Sequence, residues 1–95
     1  MNGGMGLKIN GEFILREVAG DTILVPVGNT ALQFNGILAL DPVGALIWKG
    51  LSGSKDRSAI LRDILDQFEI DAHNAANDLD EFLEQLQAEN LLQMD

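Results

Sequence analysis

The chain has 95 residues, enough for one domain, and 46% of them are hydrophobic, so a modest core can form and disorder is not expected. It contains no Cys and one His, which removes disulfides, thiolate catalysis, zinc–thiolate sites and most catalytic triads. The net charge of −9 is uneven, because residues 63–95 hold ten acids and no Lys or Arg, whereas residues 1–62 hold six bases and five acids. Such a field repels phosphate backbones and favours basic partners, but acidic helix faces also keep a small protein soluble, and both interpretations stay open.

The first half of the chain is strand-like. Residues 1–11 open with a Gly-rich stretch and are predicted to be a flexible N-terminal segment, ahead of a single domain over residues 12–95. Three apolar runs rich in β-branched residues then predict strands, at Phe13–Val18, Thr22–Val27 and Ile37–Leu40. The turn between the first two is predicted at Ala19-Gly20-Asp21, and Pro26 is expected at the end of its strand because it cannot donate to a ladder.

Past Leu40 the apolar spacing becomes helical and predicts three helices. They are expected at Pro42–Leu51 after the cap Asp41, at Lys55–Phe68 after the cap Ser54, and from the cap Asp71 to about Asn90. Asn90 can take the left-handed conformation that ends a helix, and Leu91-Leu92 then packs back on the core. Three strands before three helices predict an α+β, winged-helix-like domain with a three-stranded antiparallel sheet covered on one face.

Residues that could carry chemistry have simpler explanations. Trp48 is expected to anchor the core. His73 falls in the first turn of the third helix, where the helix dipole disfavours an imidazolium. No partner ligands lie near it in the sequence, so it is expected to be a surface residue. The carboxylates Asp78, Asp80, Glu81 and Glu84 are interpreted as a solvated helix face, because a regular helix cannot wrap a cation. No metal and no cofactor are therefore predicted.

A winged-helix shape raises the question of DNA binding, and the third helix argues against it. Residues 71–90 contain six acids and no Lys or Arg, so the helix would be repelled by a duplex. No apolar run approaches the ~18 residues that span a bilayer. We therefore expect a soluble, cytoplasmic protein that binds neither nucleic acid nor membrane and has no catalytic activity of its own.

The third predicted strand is short and is expected at the edge of the sheet, beside the acidic third helix. An open edge next to a charged groove is the arrangement that captures peptides by strand addition. A basic or amphipathic peptide would complement it. An open edge also permits a strand-exchanged dimer, so monomer and dimer both remain open.

Three segments resemble, in order, the signature of the PqqD family, the peptide chaperones of pyrroloquinoline quinone biosynthesis and their relatives among recognition domains for ribosomally made, modified peptides. The segments are Leu40–Trp48 with Ser52-Gly53, then Phe68–Asp71, then Asp78–Leu86. The opening Phe13–Gly20, with Pro26–Gly28, is similar to a bacterial subgroup of stand-alone members, and the resemblance covers about residues 12–92. Residues 30–36 differ from the quinone-pathway member, so the product of the pathway stays open.

The resemblance implies a non-catalytic chaperone that holds the leader of a precursor peptide as an added strand. It presents the leader to a modifying enzyme, often of the radical SAM class. Carried over by position, the peptide-binding surface would comprise Ile37, Leu38, Ala39 and Leu40 on the strand and Asp78, Glu81, Phe82 and Gln85 on the helix. Phe82 could instead be wholly core. The alternative hypothesis is a structural or regulatory module that docks on a protein through its helical face.

Overall fold

The computed structural model describes residues 7–34 and 36–94. In chain order its elements are β1 (Leu7–Ile9), β2 (Phe13–Val18), β3 (Asp21–Pro26), α1 (Thr30–Gln33), β4 (Leu38–Leu40), α2 (Pro42–Ser52), α3 (Arg57–Gln67), α4 (Ala72–Ala88) and β5 (Leu92–Met94). Strands β2, β3 and β4 form an antiparallel sheet in that order. The predicted α+β class is therefore confirmed, with the three predicted strands observed as β2, β3 and β4 and the three predicted helices as α2, α3 and α4.

A two-residue turn joins β2 to β3. Its residues Ala19 and Gly20 have φ angles of 54° and 87°, and Val18 pairs with Asp21 across it. Two left-handed residues define a type I′ turn, whose twist matches that of the flanking strands. Glycine adopts this conformation freely, whereas the Cβ of Ala19 makes it unfavourable there.

A second, two-stranded sheet and a short helix were not predicted. Residues 1–11 were assigned to a flexible segment, but Leu7–Ile9 form β1, which pairs antiparallel with β5 at the other end of the chain. Asn10 continues this pairing, because its backbone N–H donates to the Leu91 carbonyl at 2.9 Å. Residues 1–6 of that segment lie outside the described residues. The short helix α1 lies between the second and third predicted strands, where no helix was predicted.

Local capping explains where the helices begin. As predicted, Asp41 and Asp71 cap α2 and α4, each accepting a hydrogen bond from the backbone N–H three residues on, at 2.7 and 2.8 Å. The prediction for α3 was wrong at its start: Asp56, not Ser54, is the cap and accepts from the Ala59 N–H at 2.9 Å. Ser54 instead has a φ of 64° and forms part of the turn that follows α2.

The core lies between one face of the three-stranded sheet and the helices. Its fully buried side chains come from β3 and from all three long helices, and they are Leu24, Ile47, Ile60, Ile64, Leu79 and Leu86. Trp48 is buried and meets the ring of Phe13 edge-on at 5.5 Å between centroids, which confirms it as a core anchor. Leu91 and Leu92 are buried as predicted, after Asn90 turns the chain with a φ of 62°.

Candidate functional site

Helix α4 presents two different faces. Its buried face packs on the core through Ala75, Leu79, Leu83 and Leu86. A second face carries Asp78, Glu81, Phe82 and Gln85, whose spacing of three and four residues places them side by side. The ring of Phe82 is half-buried and packs against the core, whereas the three polar side chains are exposed. Phe82 is therefore not wholly buried in the core, although its ring packs against it.

This second face of α4 forms one wall of a cleft of about 200 Å³, and the N-terminal half of α2 forms the other. All four predicted helix residues line the cleft, together with Asp41, Val43, Gly44 and Ile47. Gly44 allows the close approach of the walls, because a Cβ at that position would lie only 3.2 Å from Cε1 of Phe82. The structure therefore brings the predicted helix residues together in one concave site.

The chain passes directly from the edge strand β4 to a residue of the cleft wall. β4 pairs with β3 along one side, and no strand within residues 7–34 and 36–94 pairs with its other side. Leu40 is followed directly by Asp41, which is both the cap of α2 and part of the cleft wall. None of Ile37, Leu38, Ala39 and Leu40 lines the cleft itself. Asp41 thus follows the predicted strand residues in the sequence and lines the same cleft as the predicted helix residues.

Hydrogen bonding in the sheet determines which backbone groups β4 leaves free. The Val27 N–H donates to the Glu12 carbonyl at 3.0 Å, which makes that pair a hydrogen-bonded one and sets the alternation across β3. With the observed register, Leu38 and Leu40 bond to β3 opposite Leu24 and Thr22. The N–H and C=O of Ala39 therefore point to the open edge.

The side chains of β4 alternate in the same way. Leu38 and Leu40 are half-buried against the core, whereas Ala39 is exposed. Ile37 was predicted to begin the strand, but it precedes β4 and its side chain is 58% exposed. Hence the strand offers a free backbone at Ala39 and two apolar side chains that face the helices.

An ion pair links α3 and α4 outside the cleft. The guanidinium of Arg57 donates two hydrogen bonds to the carboxylate of Asp80, at 2.9 and 3.0 Å. The hydrogen bond to Asp80 raises the pKa of Arg57, with a smaller opposing effect of desolvation and a further increase from the charge of Asp80. Arg57 is thus committed to Asp80 and does not neutralise the carboxylates that line the cleft.

Sequence reasoning missed the α2 wall of the site. Asp41 was predicted only as a helix cap, and Val43 and Ile47 only as residues of the first predicted helix. A signal was present in Gly44, because a glycine inside a helix costs about 1 kcal/mol relative to Ala and so indicates a close approach. The sequence does not say that Phe82 is the approaching group.

Other candidate chemistry is sparse among the described residues. His73 is exposed at the start of α4, as predicted. Residues 7–34 and 36–94 contain no group of three or more His, Asp or Glu side chains placed to hold a metal ion. In the same part of the chain, no helix combines the length and the apolar character needed to cross a membrane.

Comparisons with known proteins address the family and the fold of the chain. The family described as Coenzyme PQQ synthesis protein D (PqqD) matches residues 21–92. Among solved structures, TbiB1 in complex with the TbiA(beta) leader peptide has a TM-score of 0.70 and 24% sequence identity, and the match covers 90% of this chain and 94% of that chain. At this identity the likeness speaks for the fold. Among curated proteins, none matches the chain significantly.

Proposed function

Because the chain belongs to the PqqD family, we propose that it captures the leader of a ribosomally made precursor peptide and presents it to a modifying enzyme. In this proposal the leader adds as a strand to the open edge of β4, and the protein contributes no chemistry of its own. The modifying enzyme would supply the reaction and could be of the radical SAM class. The leader peptide bound by TbiB1, a protein of similar fold, supports this choice of ligand.

The observation that carries the proposal is the free backbone of Ala39, two residues before Asp41 in the wall of the α2–α4 cleft. A peptide strand can bond to its N–H and C=O without disturbing the bonds that Leu38 and Leu40 make to β3. Backbone bonds of this kind provide affinity but little selectivity. The side chains that line the cleft would provide the selectivity.

Side chains of an added strand would point alternately to the two faces of the sheet. Those on the same face as Leu38 and Leu40 would meet the helices. Phe82 would contact apolar side chains of the peptide, and Asp78, Glu81 and Gln85 would contact polar or charged ones. The peptide-binding residues of the proposal are therefore Ile37, Leu38, Ala39 and Leu40 with Asp78, Glu81, Phe82 and Gln85.

The test is a titration of ¹⁵N-labelled protein with the precursor leader encoded beside the gene. We expect amide shifts at Ile37–Leu40 and on the cleft face of α4, with slowed hydrogen exchange at Ala39. A scrambled peptide of the same composition is the control. Protection confined to the helices would favour the alternative docking module, and the absence of any shift at high peptide excess would overturn the proposal.

A further inference from the structure

The cleft between α2 and α4 carries negative charge on both of its walls. Asp41 contributes a carboxylate from the α2 side, and Asp78 and Glu81 contribute two from α4. No Lys or Arg lines the cleft. Within the described part of the chain, Lys and Arg form ion pairs only in Lys55–Asp63 and Arg57–Asp80, and neither pair includes a cleft carboxylate. These carboxylates therefore lack a cationic partner among the described residues.

The floor of the same cleft is apolar. Ile47 is 1% exposed, and the half-buried side chains of Val43 and Phe82 lie beside it. Gly44 has no side chain, so the ring of Phe82 packs directly over α2. A ligand that fits both features must bury apolar groups on the floor and place positive charge at the rim.

A metal ion does not meet this description, since the described residues offer no metal-binding group. Lys and Arg do meet it, because each carries its charge at the end of a long apolar stem that packs on apolar surface while the head stays in water. Along the stem such a side chain would contact Phe82, and at the head it would approach Asp78 and Glu81.

The geometry of an added strand sets the distance between the peptide side chains that face the cleft. Side chains on one face of a strand recur every second residue, roughly 6.6–6.8 Å apart. This distance is comparable with the length of one helical turn along the helix axis, and Asp78, Glu81 and Phe82 lie within about one turn of each other. Two successive cleft-facing side chains of the peptide can thus occupy the floor and the acidic rim together.

Resting on the proposed function, we propose that the protein selects leader segments in which an apolar residue and a Lys or Arg stand two positions apart, and that it rejects an acidic residue at the basic position. The ten acids and absence of Lys and Arg in residues 63–95 reinforce this choice, because the field around α4 attracts basic peptides and repels acidic ones. The selectivity belongs to the cleft, whereas the backbone bonds at Ala39 are common to all peptides.

The experiment uses two synthetic peptides of one host sequence, with Leu and Lys two positions apart in the first and Leu and Glu in the second. Both are titrated into the wild-type protein and into a D78K/E81K variant at low salt. A D66K/E84K variant is the matched control, since it changes the net charge equally at exposed positions that do not line the cleft. Amide shifts at β4 report binding in every case.

We expect the wild-type protein to bind the Lys peptide about tenfold more tightly than the Glu peptide, as two charge contacts of about fivefold or less each would allow. The D78K/E81K variant should reverse the preference, and D66K/E84K should keep it. Equal binding of both peptides to the wild type, or an unchanged preference in D78K/E81K, would overturn the inference and leave leader capture standing. If neither peptide shifts β4 in any variant, the proposed function falls as well.

Discussion

The open edge of β4 makes a sharp prediction about a single backbone N–H. Replacing Ala39 by Pro removes this donor, which points away from β3, and leaves the bonds of Leu38 and Leu40 to β3 in place. Proline is tolerated on the outer side of edge strands for this reason. It also restricts the residue before it to extended backbone, which Leu38 already has as part of β4. We therefore expect A39P to fold.

The size of the binding defect follows from one lost hydrogen bond. Such a bond contributes about 0.5–1.5 kcal/mol net. This corresponds to a rise of about two- to twelvefold in the Kd of the leader peptide, at about 1.4 kcal/mol per factor of ten. The free energy of unfolding should fall by less than about 1 kcal/mol, because the exposed side chain of Ala39 contributes little to the core.

The assay compares A39P with A39V, which keeps the N–H and suits a strand. Affinity for the precursor leader is measured by isothermal titration calorimetry and stability by urea unfolding. Equal affinity of A39P and A39V would refute strand addition at this edge. A loss of more than about 2 kcal/mol of stability in A39P alone would show that the Ala39 N–H is bonded within the domain, contrary to the observed strand register.

Four further substitutions test other features of the structure. G44A should change the unfolding free energy by less than about 1 kcal/mol, because Phe82 can move into the cleft, but weaken leader binding by about 1–3 kcal/mol; a large loss of stability with normal binding would contradict this. A19N should raise the unfolding free energy by about 0.5–1 kcal/mol in urea denaturation, since Asn tolerates the left-handed turn, and no gain would count against the strain at Ala19. D56A should lower thermal stability by about 1 kcal/mol while S54A changes it by less than about 0.5, and the reverse order would mean that Ser54 is the cap.

Features that depend on neighbours in the sequence were predicted well. The caps Asp41 and Asp71 bond to groups three residues away, and the left-handed Asn90 needs only its own short side chain. The start of α3 shows the limit of such reasoning. Ser54 and Asp56 are both suitable caps two residues apart, and the turn that ends α2 takes up Ser54.

The same distinction between local features and tertiary contacts applies to the candidate site. The choice of Asp78, Glu81, Phe82 and Gln85 came from the family resemblance, and helical spacing is consistent with their lying side by side. The open edge of β4 follows from a short strand at the end of a meander. Which residues oppose that stripe could not be read from the sequence, because the spacing within one helix says nothing about the face of another that meets it.

The sequence by itself therefore determined the α+β class, the caps, the acidic character of α4 and the absence of thiol chemistry, since each depends on composition or on contacts within about one helical turn. Only the tertiary structure decided the pairing of β1 with β5, the close approach of Gly44 to Phe82 and the cleft that joins Asp41 to α4. The physical reason is separation along the chain: Asn10 and Asn90 meet across 80 positions, and contacts of that kind form when the whole core packs.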